Sequence, residues 1–150
     1  MSKSANTREF RKVDVDKFDE DRFQDDQAEE EQDTGPSEAD IQQLLMSKKN
    51  TEALKLLLSQ APAGSKNKDR KDKAFELVTR VLTNYKASEI TAAAKDLNIQ
   101  ETDMLMKYIY RGFAEPSDSY CARILSWHEK VVANGGLGSI IRALADRKTV

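Results

Sequence analysis

The sequence predicts an all-α domain: a compact, α-solenoid-like array of about six to seven short helices over residues 37–150. An extended acidic N-terminal arm over residues 1–36 precedes it. Three observations predict this architecture. Beyond residue 40 apolar residues recur at three- and four-residue spacing, and no alternating strand pattern survives. Pro, Gly, Ser and Asn divide that region into short segments joined by short breaks. Before Gly35 and Pro36, 11 of the 20 residues from Asp14 to Asp33 are acidic, too charged a composition to bury a core.

The arm is nevertheless interrupted by apolar residues, Phe10, Val13, Val15, Phe18 and Phe23. Val13 and Val15 alternate with Asp14 and Asp16 at the strand-like period of two. A purely solvating tail needs no aromatics. We read the arm as an extended segment that docks these anchors on a partner.

From Ser37 the composition changes. Ser37 is placed to cap a first helix, with Asp40 completing a loose capping box and Ile41, Leu44 and Leu45 as its stripe. After a break at Ser47–Asn50, Asn50 caps a second helix whose face is Ala53, Leu54, Leu57, Leu58 and Ala61. Pro62 stops it, and residues 63–73 read as a polar, mostly basic loop whose lysines and arginine are solvated. A third helix carries Ala74, Phe75, Val78, Val81, Leu82 and Tyr85, and Ser88 caps a fourth with Ile90, Ala93, Ala94 and Leu97. The fifth, from an N-cap at Thr102 to Phe113, is the most apolar. Leu105, Tyr108, Ile109 and Gly112 form its stripe, and only Lys107 and Arg111 mark a polar face, so it should lie at the centre of the domain. After Pro116 a sixth helix carries Cys121, Ile124, Leu125, His128 and Val132 and ends at Asn134–Gly136. A last helix from Ser139 should bury Ile140, Ile141 and Leu144.

At 150 residues the chain holds one domain and a tail. No apolar run approaches the ~20 residues of a membrane span, and no hydrophobic region follows the N-terminus, so neither membrane insertion nor a signal peptide is expected. A single cysteine, Cys121, cannot form an internal disulfide, which suits the reducing cytosol or nucleus. The net charge of −2 hides an asymmetry: residues 1–40 hold 14 acids against 6 bases, and residues 41–150 hold 12 acids against 18 bases. An arm this acidic competes with phosphates, and no patch interleaves aromatic and basic residues, so no nucleic-acid partner is expected.

The search for chemistry is negative. Cys121 and His128, the only residues of their kinds, stand seven apart on one helix, a rise of about 10 Å. A dyad needs about 3 Å. One His and one Cys also fall short of a structural zinc site. Gly136 and Gly138 resemble half a dinucleotide loop, but the third glycine position holds Ile141 and no strand precedes it. No enzyme activity, cofactor or metal is expected. Tyr108, Tyr110, Phe113, Tyr120 and Trp127 cluster late in the chain and divide between core packing and interface anchoring.

Several blocks together resemble one family: Phe10 to Asp16 (FRKVDVD), Leu105 to Tyr110 (LMKYIY), Trp127 to Lys130 (WHEK), Gly135 to Ile140 (GGLGSI) and Arg147 to Val150 (RKTV). They are similar to subunit 5 of the actin-related protein 2/3 complex, from end to end. The resemblance implies a non-catalytic structural subunit of the assembly that nucleates branched actin filaments, in the cytoplasm and actin-rich cell projections. It implies a helical core docked on subunits 4 and 1, an arm reaching the actin-related protein 2 subunit, and only indirect contact with actin filaments. Arm contacts then fall on Phe10, Arg11, Val13, Val15 and Phe18. The alternative is a free-standing helical adaptor whose acidic arm is an autoinhibitory flap.

Overall fold

The computed structural model describes residues 37–150. Every regular element among them is an α-helix: α1 (Glu38–Met46), α2 (Asn50–Ser59), α3 (Lys68–Asn84), α4 (Ala87–Asp96), α5 (Ile99–Ala114) and α6 (Cys121–Ala145). The arm and its residues Phe10, Arg11, Val13, Val15 and Phe18 lie outside the described residues.

Ser37 does stand at the N-cap of α1, but its hydroxyl makes no capping bond, and the acidic first turn, Glu38 and Asp40, meets the positive helix end instead. The helix ends in a Schellman turn. Lys48 takes the left-handed conformation (φ 58°) while its N–H and that of Lys49 donate to the carbonyls of Leu45 and Leu44. Asn50 is the first residue of α2 and not its cap; its side-chain oxygen receives Asn84 Nδ2 at 3.1 Å, joining α2 to the end of α3. The expected face of α2 is buried, from Ala53 to Leu58, with Ala61 half-buried behind it.

The basic stretch expected as loop is largely helix. Asn67 caps α3 by accepting from Arg70 N, so Lys68–Lys73 are helical and the apolar stripe begins only in the second turn. At α4 the cap position is Lys86 where Ser88 was expected, and the Glu89 carboxylate receives the Lys86 N–H. At α5 Asn98, where Thr102 was expected, makes the cap. Asn98 Oδ1 accepts from Glu101 N and Glu101 Oε2 accepts from Asn98 N, both at 2.8 Å, a reciprocal capping box. Thr102 is buried one turn inside.

The expected break between the sixth and seventh helices is present inside α6, where two helical stretches meet at a residue with non-helical backbone. The break comes at Gly136 (φ 66°, ψ −177°), a conformation suited to glycine, and helical hydrogen bonding continues beyond it. Asn134 does not cap; its side chain donates to the Ala94 carbonyl and ties α6 to α4.

The core gathers where α6 packs on α3, α4 and α5 and where α2 packs on α3 and α5. Leu54, Val81, Leu105, Met106, Ile109 and Trp127 are all sealed from solvent. Trp127 sits at its centre, donating Nε1–H to the Leu82 carbonyl at 3.2 Å and meeting Tyr85 edge-on at 5.0 Å. Glycines let α5 and α6 approach closely: a Cβ on Gly112 would stand 2.5 Å from Ile124 Cδ1.

Candidate protein interface

The C-terminal half of α6 is amphipathic in the wrong sense for a free helix. Its buried residues are small, Ser139 and Ala143, while Leu137, Ile141 and Leu144 are 71%, 65% and 63% exposed. Ile140 is half-buried, so of the three apolar residues expected in the core only this one joins it. The reason is the close approach of α6 to α5. A Cβ on Gly135 would already lie 3.2 Å from both Thr102 Cγ2 and Ser139 Cβ, leaving no room for a branched side chain on that face. Leu137, Ile141 and Leu144 follow the i, i+4, i+7 spacing and form a continuous outward stripe. Beside it Arg142 holds Asp103 of α5 through two bonds, Nε to Oδ2 at 2.6 Å and Nη2 to Oδ1 at 2.9 Å. That bond holds the guanidinium pKa above its usual value.

A second apolar surface lies along α5 and the N-terminal half of α6. His128 stands between Tyr110 and Phe113, with ring centroids at 5.8 and 5.6 Å. Its Nε2 is buried without a hydrogen-bond partner. Leu125, expected on a buried stripe, is exposed, and with Val132 it lines the shallow cleft beside His128. The late aromatics thus divide. Trp127 and Tyr108 are core, whereas Tyr110, Phe113 and Tyr120 are half-buried at the rim. Cys121 opens α6 and is half-buried, seven residues from His128, with no geometry for nucleophile activation. Among the described residues no group of His, Cys, Asp and Glu could hold a metal ion, and no helix is long and apolar enough to cross a membrane.

The polar face of α5 has a role that local pattern did not reveal. Lys107 and Arg111 anchor residues 146–150, a strap that returns from α6 across α5 to α3. Lys107 Nζ donates to Asp146 Oδ2 at 2.6 Å and to the Lys148 carbonyl at 3.0 Å. Arg111 pairs with Asp72, donates to the Val150 carbonyl oxygen at 3.2 Å and lies over the Phe75 ring at 4.8 Å. These bonds bury Val150 and hold the Asp146 carboxyl below its usual pKa, chiefly through Lys107.

The family model of the "ARP2/3 complex 16 kDa subunit (p16-Arc)" matches residues 9–150. The chain belongs to this family. The chain is also similar to individual relatives, two of them over their full length. The actin-related protein 2/3 complex subunit 5-C of Xenopus laevis is 43% identical over 150 residues, covering all of both chains. The subunit 5-like protein of Homo sapiens is 42% identical over 153 residues, again covering both chains in full. The probable subunit 5 of Caenorhabditis elegans is 35% identical over 117 residues, 77% of this chain and 80% of its own. The p16-Arc match takes in the apolar stripe, the aromatic surface, the strap and all five arm positions.

Proposed function

We propose that this chain is a non-catalytic structural subunit of the actin-related protein 2/3 complex, supporting nucleation of branched actin filaments in the cytoplasm. Membership of the p16-Arc family along almost the whole chain is the observation that carries the reading. The helical domain, residues 37–150, docks on subunits 4 and 1 of the assembly. We assign the stripe of Leu137, Ile141 and Leu144 to that docking, since large side chains held in water over a face of small ones call for a covering partner. The arm, residues 1–36, tethers the actin-related protein 2 subunit through Phe10, Arg11, Val13, Val15 and Phe18. Apolar anchors hold more at equilibrium than spread carboxylates, whose fields are screened within roughly 8–10 Å at physiological salt.

Reconstitution of the assembly tests the arm. Val13→Ser with Val15→Ser should weaken retention of the actin-related protein 2 subunit and slow branching, while subunits 4 and 1 stay bound. Glu29, Glu30 and Glu31 changed to Gln should leave both unaltered. A failing glutamine variant beside a normal valine variant would make the arm an electrostatic device and defeat this part of the reading.

A further inference from the structure

Thr149 sits in the middle of the C-terminal strap. Its carbonyl accepts from Gly64 N at 3.1 Å, and its hydroxyl accepts from Lys71 Nζ at 2.7 Å. The residues on either side are tied down, Lys148 through Lys107 and Val150 through Arg111, yet the Thr149 side chain is exposed. Lys71 has no carboxylate partner among the described residues, so a full positive charge is spent on a neutral hydroxyl. Lys68 stands three residues earlier on α3, on the same side of the helix, close to its positive N-terminal end. Arg147 and Lys148 directly precede Thr149, both basic and exposed.

We propose that Thr149 is a phosphorylation site for a protein kinase that reads basic residues ahead of its acceptor, and that the phosphate locks the strap onto α3. The threonine Oγ attacks the γ-phosphorus of ATP held by the kinase. An Oγ–P bond forms, the bond from that phosphorus to the β-phosphate oxygen breaks, ADP leaves, and the hydroxyl proton passes to the kinase's carboxylate base. A phosphate monoester carries about −1.5 to −2 charges at neutral pH and would meet Lys71 where the hydroxyl now does. Two other hydroxyls follow an arginine at similar distance but are poor acceptors. Thr83 and Ser126 lie inside helices, with their hydroxyls donating to the carbonyls of Thr79 and Ala122. Only Thr149 of the three lies in an irregular segment that can straighten into a kinase groove.

The test uses the full chain, the catalytic subunit of such a kinase and ATP, with a peptide of residues 141–150 as parallel substrate. Tandem mass spectrometry should place phosphate on Thr149 in both, and Thr149→Ala should abolish it. Amide exchange at Gly64 and residues 147–150 should then slow about tenfold, the effect of roughly one charge-assisted bond. Lys71→Gln should accept phosphate equally well and show no slowing. Absence of phosphate from Thr149 in either substrate overturns the proposal. So does phosphorylated chain whose strap exchanges as fast as before, or faster.

Discussion

Gly136 interrupts α6 just before the apolar stripe, and replacing it isolates a backbone effect. At φ 66° and ψ −177° a side chain is strained, while a Cβ there would meet nothing within 4 Å. Gly136→Ala therefore has no packing cost. Strain of about 1–3 kcal/mol is offset by about 0.4–1 kcal/mol from the stiffer unfolded chain. The net expectation is a loss of about 1–2 kcal/mol, or roughly 2–8 °C in Tm for a chain of this size. Gly138→Ala is the control. Gly138 has no positive φ, and its Cβ would meet only the end of the flexible Arg142 side chain, at 2.9 Å. That variant should be neutral or gain up to about 1 kcal/mol, the usual benefit of removing a glycine from a helix. Urea unfolding followed by circular dichroism and by fluorescence of the buried Trp127 measures both. If Ala at 136 proves as stable as glycine, the positive-φ backbone there carries no strain and this reasoning fails.

Three further outcomes are expected. Leu105→Ala or Ile109→Ala, each emptying a fully buried site in α5, should cost about 2–5 kcal/mol in urea melts, and a change below about 0.5 kcal/mol would place that stripe outside the core. Burial raises the Tyr108 pKa above its usual value, against the opposing charge of Arg111. Its contribution is therefore intact below the unfolded value near 10 and is lost as pH rises toward the folded one. Unfolding free energy should decline above about pH 10, and Tyr108→Phe should blunt the decline in melts taken along that pH series. Deleting residues 1–36 should leave a cooperatively melting helical domain by circular dichroism, and loss of the transition would make the arm part of the core.

The faces of α2, α3, α4 and α5 were legible because apolar periodicity is a local property: Leu54 and Leu57, Val78 and Leu82, or Leu105 and Ile109 mark a stripe wherever the helix docks. Periodicity is silent where no apolar residue occurs, so Lys68–Lys73 read as loop although Asn67 starts the helix there. The caps stand four residues before the expected place at Asn98 and two before it at Lys86; at α5 both Asn98 and Thr102 are capping residue types, and periodicity does not choose between them. The outward turn of Ile141 and Leu144 was not legible. It depends on how near α6 comes to Thr102 of α5, a distance written in neither helix alone. One local sign was present: Leu137, Ile140, Ile141, Ala143 and Leu144 are more apolar surface than one buried stripe needs. The strap was hidden for a similar reason, since Lys107 and Asp146 lie 39 residues apart.

The most direct test of the docking surface changes Leu137, Ile141 and Leu144 together to Ser. All three are exposed, so the isolated chain should melt within about 0.5 kcal/mol per site of the parent. Co-expression with subunits 4 and 1, followed by gel filtration, then reads assembly alone. The parent chain should elute with those subunits and the serine variant should elute separately, still folded. A serine variant that coelutes as the parent does would contradict the assignment of this face to the complex.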